Sequence, residues 1–120
     1  MKTTFQRMSY KEKDNFNVAQ RYYCLLSALN DLKLTERELQ LVAFTAIHGN
    51  ISYDVNRKEF CSLFKTTAPT INNMISRLKK LNVFIKDSGK IKVNPVILIP
   101  FDNDIKMEIN IIHKDDEKGS

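Results

Sequence analysis

The sequence predicts a mainly helical domain with a small β-sheet, an α+β fold, and three patterns carry that reading. First, Ile71, Met74, Ile75, Leu78 and Leu81 recur at intervals of three and four, the buried stripe of an amphipathic helix. Second, Thr35 with Glu38, and Asn56 with Glu59, have the spacing of helix-start signals. Third, apolar runs flank the turn residues Asp87-Ser88-Gly89-Lys90, as they do in a hairpin. Together they outline residues 56–93 as two short helices joined by a tight turn and followed by a hairpin. The rest of the chain is organised around this stretch.

In chain order, residues 1–14 carry Lys2, Arg7, Lys11 and Lys13 with isolated Phe5, Met8 and Tyr10, and read as a flexible basic arm. The main domain is expected over 15–113. Its first helix is predicted over 16–32, burying Tyr22, Leu25, Leu26, Leu29 and Leu32. A capping box then opens a second helix over 36–48, with Leu39, Val42, Ala43, Ala46 and Ile47 inward and Gly49 ending it. The alternation of Ile51, Tyr53 and Val55 suggests a short strand able to pair with the hairpin. Asn56 is expected to cap a third helix over 57–64 that buries Phe60, Leu63 and Phe64.

Lys65-Thr66-Thr67 forms the turn. Thr67 can cap the fourth helix, over 68–81, and Pro69 is tolerated in its first turn, where the amides have no helical partner to lose. Asn82 can adopt the left-handed conformation that stops it. The hairpin follows over 83–93, with Gly89 supplying a positive φ. Residues 96–99 and 105–111 are expected to form an additional C-terminal strand pair, the first segment having the alternative of an extended strap on the helices. Residues 114–120 read as a disordered tail.

A chain of 120 residues supports one core, and no apolar run is long enough to cross a bilayer. The polar start lacks the apolar stretch of a secretory signal, so a cytoplasmic protein is expected. Cys24 and Cys61 are read as buried free thiols, and they lack metal-knuckle spacing. His48 and His113 stand alone, and no metal or cofactor is expected. Ser88-Gly89-Lys90 lacks the upstream glycine and following helix of a phosphate-binding loop. Asp102 and Asp104 read as turn residues. Catalysis is therefore not expected.

Charge is segregated. Of the overall +5, residues 57–92 hold nine Lys/Arg against two acids, a local +7, while residues 93–120 balance at −3 and residues 1–56 at +1. A concentrated basic field attracts polyanions, nucleic acid first among them. The competing reading is a solvated lysine-rich surface.

The order of elements, and within it the phrase LFKTTAPTINNMISRLKKLNVFIKDSGKI, resembles the winged helix-turn-helix family. The likeness covers about half the chain. It implies a second helix that enters the major groove of double-stranded DNA and a hairpin wing that touches phosphate or the minor groove. Family members usually carry glycine where Asn82 stands. Regulators of the MarR type dimerise through terminal helices, whereas here an Ile-rich, β-forming segment follows the wing. The small size and the lack of a ligand-binding or catalytic module also resemble proteins encoded by phages and plasmids.

On this reading the recognition helix is 68–81 and the wing 83–93. Asn72 and Asn73 suit adenine edges, and Arg77 suits guanine O6 and N7. Thr70 and Ser76 can serve bases or phosphate, while Lys79 and Lys80 suit the backbone. The amides around Thr67 and Ala68 offer phosphate a helix N-terminus. Lys86, Lys90 and Lys92 add charge on the wing. Each has a plainer alternative: solvated helix positions for the asparagines and lysines, and for Arg77 an ion pair with an acid such as Glu59. The competing function is a protein-interaction or structural module. Its partner, or a second copy of the chain, would be taken up by the C-terminal strand containing Ile109 and Ile111.

Overall fold

The computed structural model describes residues 14–101 in full and the backbone of 2–7 and 108–113. It is an α+β fold of helices α1 (Asn15–Leu29), α2 (Glu36–His48), α3 (Asp54–Phe64) and α4 (Ala68–Lys80), with a hairpin of β2 (Phe84–Asp87) and β3 (Lys90–Val93). A second two-stranded sheet pairs β1 (Lys2–Arg7) with β4 (Glu108–His113).

Helix α2 lies at the centre. Leu41, Val42, Ala43, Phe44 and Thr45 are buried in succession, because the helix packs on α1, α3 and β3 at once and so has little solvent side. The Thr45 hydroxyl meets its need for a partner by donating to the Leu41 carbonyl, 2.7 Å away. The predicted capping box is present, with Glu38 N–H donating to Thr35 Oγ1 and Thr35 N–H to Glu38 Oε1. Gly49, at φ 93°, ends the helix. Ile47, expected inside, is 41% exposed, since the neighbours of α2 do not reach its last turn on that side.

Helix α1 stops three residues short of the predicted end. Asn30 turns back onto the Leu26 carbonyl, and Asp31 and Lys33 take positive φ values of 53° and 56°, which no helix continues through. Its buried face is accordingly Ala19, Tyr23 and Ser27, and Leu29 is left exposed. Cys24 is also exposed, against its reading as a buried thiol. Tyr23 ties α1 to the segment after the hairpin, its hydroxyl donating to the Ile97 carbonyl at 2.9 Å and its ring meeting Phe101 edge-on.

Helix α3 begins at Asp54, earlier than expected, and Asn56 does not cap it. No side chain caps it; Asn50 instead holds the turn before it, its Oδ1 accepting from the Ser52 and Tyr53 amides while its carbonyl accepts from Asn56 Nδ2. The strand foreseen around Ile51 is reduced to one backbone bond, Ile51 N–H to the Ile91 carbonyl, because the helix has already started. Phe60 is buried and Phe64 half-buried, but Leu63 is exposed. His48, which looked isolated in sequence, stacks on Phe44 and lies 3.3 Å from Glu59, linking α2 to α3.

Residues 95–97 form a 3₁₀ turn capped by Asn94, and the segment after it runs as a strap, so the expected strand at 96–99 does not form. The partner of the last strand is instead β1, antiparallel, with Lys2 opposite His113 and Arg7 opposite Glu108. Residues 2–7, read as part of a flexible arm, are thus in a strand. Residues 8–13 of the arm, the turn expected at Asp102 and Asp104, the start of the final run at 105–107 and the tail at 114–120 lie outside the described residues, while Asp14 caps α1.

Candidate nucleic-acid interface

Lys65 closes α3 in the left-handed conformation, at φ 50° and ψ 55°, which turns the chain sharply into α4. Thr67 occupies the N-cap position of α4 without capping it, and its Oγ1 instead bonds Thr70 Oγ1 at 2.9 Å. The apolar stripe is anchored, with Ile71 and Leu78 fully buried and Met74 and Ile75 nearly so. At about 100° per residue, the opposite face is Pro69, Asn73, Ser76 and Lys80. Asn72 and Lys79 flank it on one side, Thr70 and Arg77 on the other. All of these except Arg77 are exposed, as are Thr67 and Ala68. Asn82, at φ 61°, terminates the helix as expected.

The structure engages Arg77 within the fold, in contacts that compete with the expected reading of guanine. Its Nη1 donates to Glu38 Oε1, and its Nη2 donates to the carbonyls of Leu32 at 3.1 Å and Lys33 at 3.3 Å. Glu38 is almost wholly buried, so it needs a cation and hydrogen bonds to remain charged there. Arg77 thus ties α4 to the loop before α2. The plainer reading, an ion pair, is the one realised, with Glu38 in place of Glu59.

Asn72 is also engaged. Arg57, on α3, donates from Nε to the Ile51 carbonyl at 2.9 Å and from Nη1 to Asn72 Oδ1 at 2.7 Å. Ile51 in turn bonds strand β3, and Ser52 Oγ accepts from the Ile91 amide at 2.6 Å. A chain of hydrogen bonds therefore runs from the hairpin through residues 51–52 and Arg57 to the exposed side of α4. On the other side, the Val83 amide donates to the Leu78 carbonyl and Asn94 Nδ2 to the Asn82 carbonyl, fixing the hairpin against the end of α4.

The hairpin turn is Ser88-Gly89, at φ 52° and 78°, the two positive values of a type I′ turn. Lys86 is exposed. Lys90 lies over the Tyr53 ring, 5.1 Å from its centroid, and Lys92 lies 3.6 Å from Asp87. Such exposed contacts are weak and readily exchanged for a phosphate.

Sequence reasoning missed Arg57 as a member of this surface and Glu38 as its support. Arg57 was visible as one of the cations of the basic stretch. Nothing local marked its contact with a residue fifteen positions away. Among the described residues no group of three or more His, Cys, Asp or Glu side chains is close enough to hold a metal ion, and no helix is long and apolar enough to cross a membrane. No family model, curated protein or solved structure matches the chain.

Proposed function

We propose that the protein binds double-stranded DNA in a sequence-specific manner, as a regulator of transcription or replication, in the way of a winged helix-turn-helix domain. Helix α4 is the reading element and the β2–β3 hairpin the basic wing. One observation carries the reading. α4 commits its apolar side wholly to the core and leaves exposed, over its first two turns and beyond, only small or polar residues: Ala68, Pro69, Thr70, Asn72, Asn73 and Ser76. A helix entering the major groove must project donors and acceptors from its N-terminal half without an apolar obstruction. Lys79 and Lys80 follow on the same helix, and Lys86, Lys90 and Lys92 on the hairpin fixed to it, and these cations would serve phosphates.

The test is fluorescence anisotropy of a mixed-sequence duplex at about 50 and about 200 mM salt. Binding is expected to weaken roughly a hundredfold or more across that range, as several phosphate contacts require. Asn73→Ala should reduce affinity for a selected site by roughly fivefold or more with an unchanged melting temperature. A folded protein that fails to bind duplex at the lower salt overturns the proposal.

A second reading, a protein-interaction module, is favoured by the exposure of Val55, Leu63, Val96 and Leu98 and by the pairing of β4 with β1 alone among the described residues. If it holds, Leu63→Asp or Val96→Asp abolishes partner capture and Asn73→Ala does not.

A further inference from the structure

The side chain of Asn72 has two chemically different ends, and the fold has already used one. A free asparagine reads adenine by accepting from N6–H with Oδ1 while donating from Nδ2 to N7. Here Oδ1 accepts from Arg57 Nη1 at 2.7 Å. The orientation of the amide is unambiguous, because a guanidinium has donors and no acceptor. Arg57 itself is fixed by its Nε bond to the Ile51 carbonyl, so the contact is held from the α3 side. What the pair has left for a ligand is the Nδ2 donor of Asn72, on an exposed position, and the remaining N–H groups of a half-buried guanidinium. Both belong to a donor-only edge.

We infer that Asn72 and Arg57 act together as a guanine-selecting element, a role that rests on the DNA-binding reading above. In the major groove guanine presents two acceptors, N7 and O6, whereas adenine presents one acceptor and the N6 donor. An adenine at this position would bring its amino group toward a cationic donor, and guanine brings a carbonyl oxygen. Arg57 is the specificity determinant in this arrangement even though it stands on α3, and it sets the polarity of Asn72 on α4. Asn73, one position on and facing away from the core, keeps the ordinary ability of an asparagine to read adenine.

The experiment is selection from a randomised duplex pool with the full chain, followed by competition titrations in which the base at each selected position is exchanged. The wild-type protein should show one position where guanine is preferred over adenine by roughly tenfold or more, within the range of a single good bidentate contact. Arg57→Gln, which is uncharged and can accept as well as donate, should erase that preference or move it toward adenine while leaving the preferences at other positions unchanged. Asn72→Asp, on an exposed helical position, should abolish it by closing the carboxylate onto Arg57. A merely structural role for Arg57 would instead weaken all sites alike. If Arg57→Gln does not fold by circular dichroism, Asn72→Asp and Asn72→Ala decide the matter alone.

The inference is overturned if guanine preference at every position survives the Asn72 variants. It is equally overturned if the position lost with Asn72→Ala is adenine in the wild type. Failure of the wild-type protein to enrich any duplex overturns the DNA-binding reading itself, and the inference with it.

Discussion

At the scale of single residues, Arg77 separates what a side chain can do in principle from what its surroundings leave it to do. Its place in the polar half of the α4 pattern was legible in the sequence. Its bond to Glu38 was not, because that contact spans thirty-nine positions and depends on how α2 meets α4. Arg77→Ala strands a buried carboxylate, softened by the partial exposure of the arginine. It should cost about 2 to 3 kcal/mol, measured as a drop in the urea midpoint. An unchanged midpoint would show that Glu38 finds another partner. Tyr23 gives a pH signature. Burial, with a smaller contribution from Tyr22, pushes its phenol above the ordinary value of 10.0. Below about pH 10 both folded and unfolded chains hold this proton, so stability is unaffected. Above it the unfolded chain releases the proton while the folded one keeps it, and stability falls by up to about 1.4 kcal/mol per pH unit until the folded phenol ionises as well. Urea midpoints above pH 10 should therefore decline more steeply in the wild type than in Tyr23→Phe, although that variant starts lower by about 1 kcal/mol through loss of the bond to Ile97.

At the scale of elements, the signals with local causes were readable and those set by neighbours were not. The capping box, the Gly49 stop, the Asn82 stop and the Ser-Gly turn each follow from one or two residues and their own backbone. The early end of α1 depends on Asp31 and Lys33 adopting conformations that their residue types do not announce. The burial of Tyr23 comes from its contacts with Ile97 and Phe101, which lie more than seventy positions away. In the hairpin, Ser88 occupies the first turn position at φ 52°, where asparagine is better suited. Ser88→Asn should stabilise by a few tenths of a kcal/mol, whereas Gly89→Ala should destabilise by about 1 kcal/mol. A methyl group at Gly89 meets nothing within 4 Å, so the second effect is conformational and comes from the backbone alone. Thermal melts of the two variants should move in opposite directions.

At the scale of the whole molecule, charge segregation is the feature of the sequence that motivates the proposed function, while the pairing of the two ends of the chain was not legible in it. β1 and β4 are separated by one hundred residues, and neither period nor composition states which strand will meet which. A two-stranded sheet is marginal by itself. Amides of β1 and β4 should therefore exchange with deuterium markedly faster than those of Leu41 to Phe44 in the centre of the core. Equal protection would mean that the ribbon is covered by something further, and that the second reading of function gains weight. On the helical body, the connection from the hairpin through Ile51 and Arg57 to Asn72 works as a gauge of fixed length. Hydrogen bonds tolerate only a few tenths of an ångström, while one base pair advances the duplex by about 3.4 Å. Under the proposed DNA-binding function, a site whose wing and helix segments are moved apart by a single inserted pair should therefore fall outside the gauge, and spacing should join base identity in discriminating between sites.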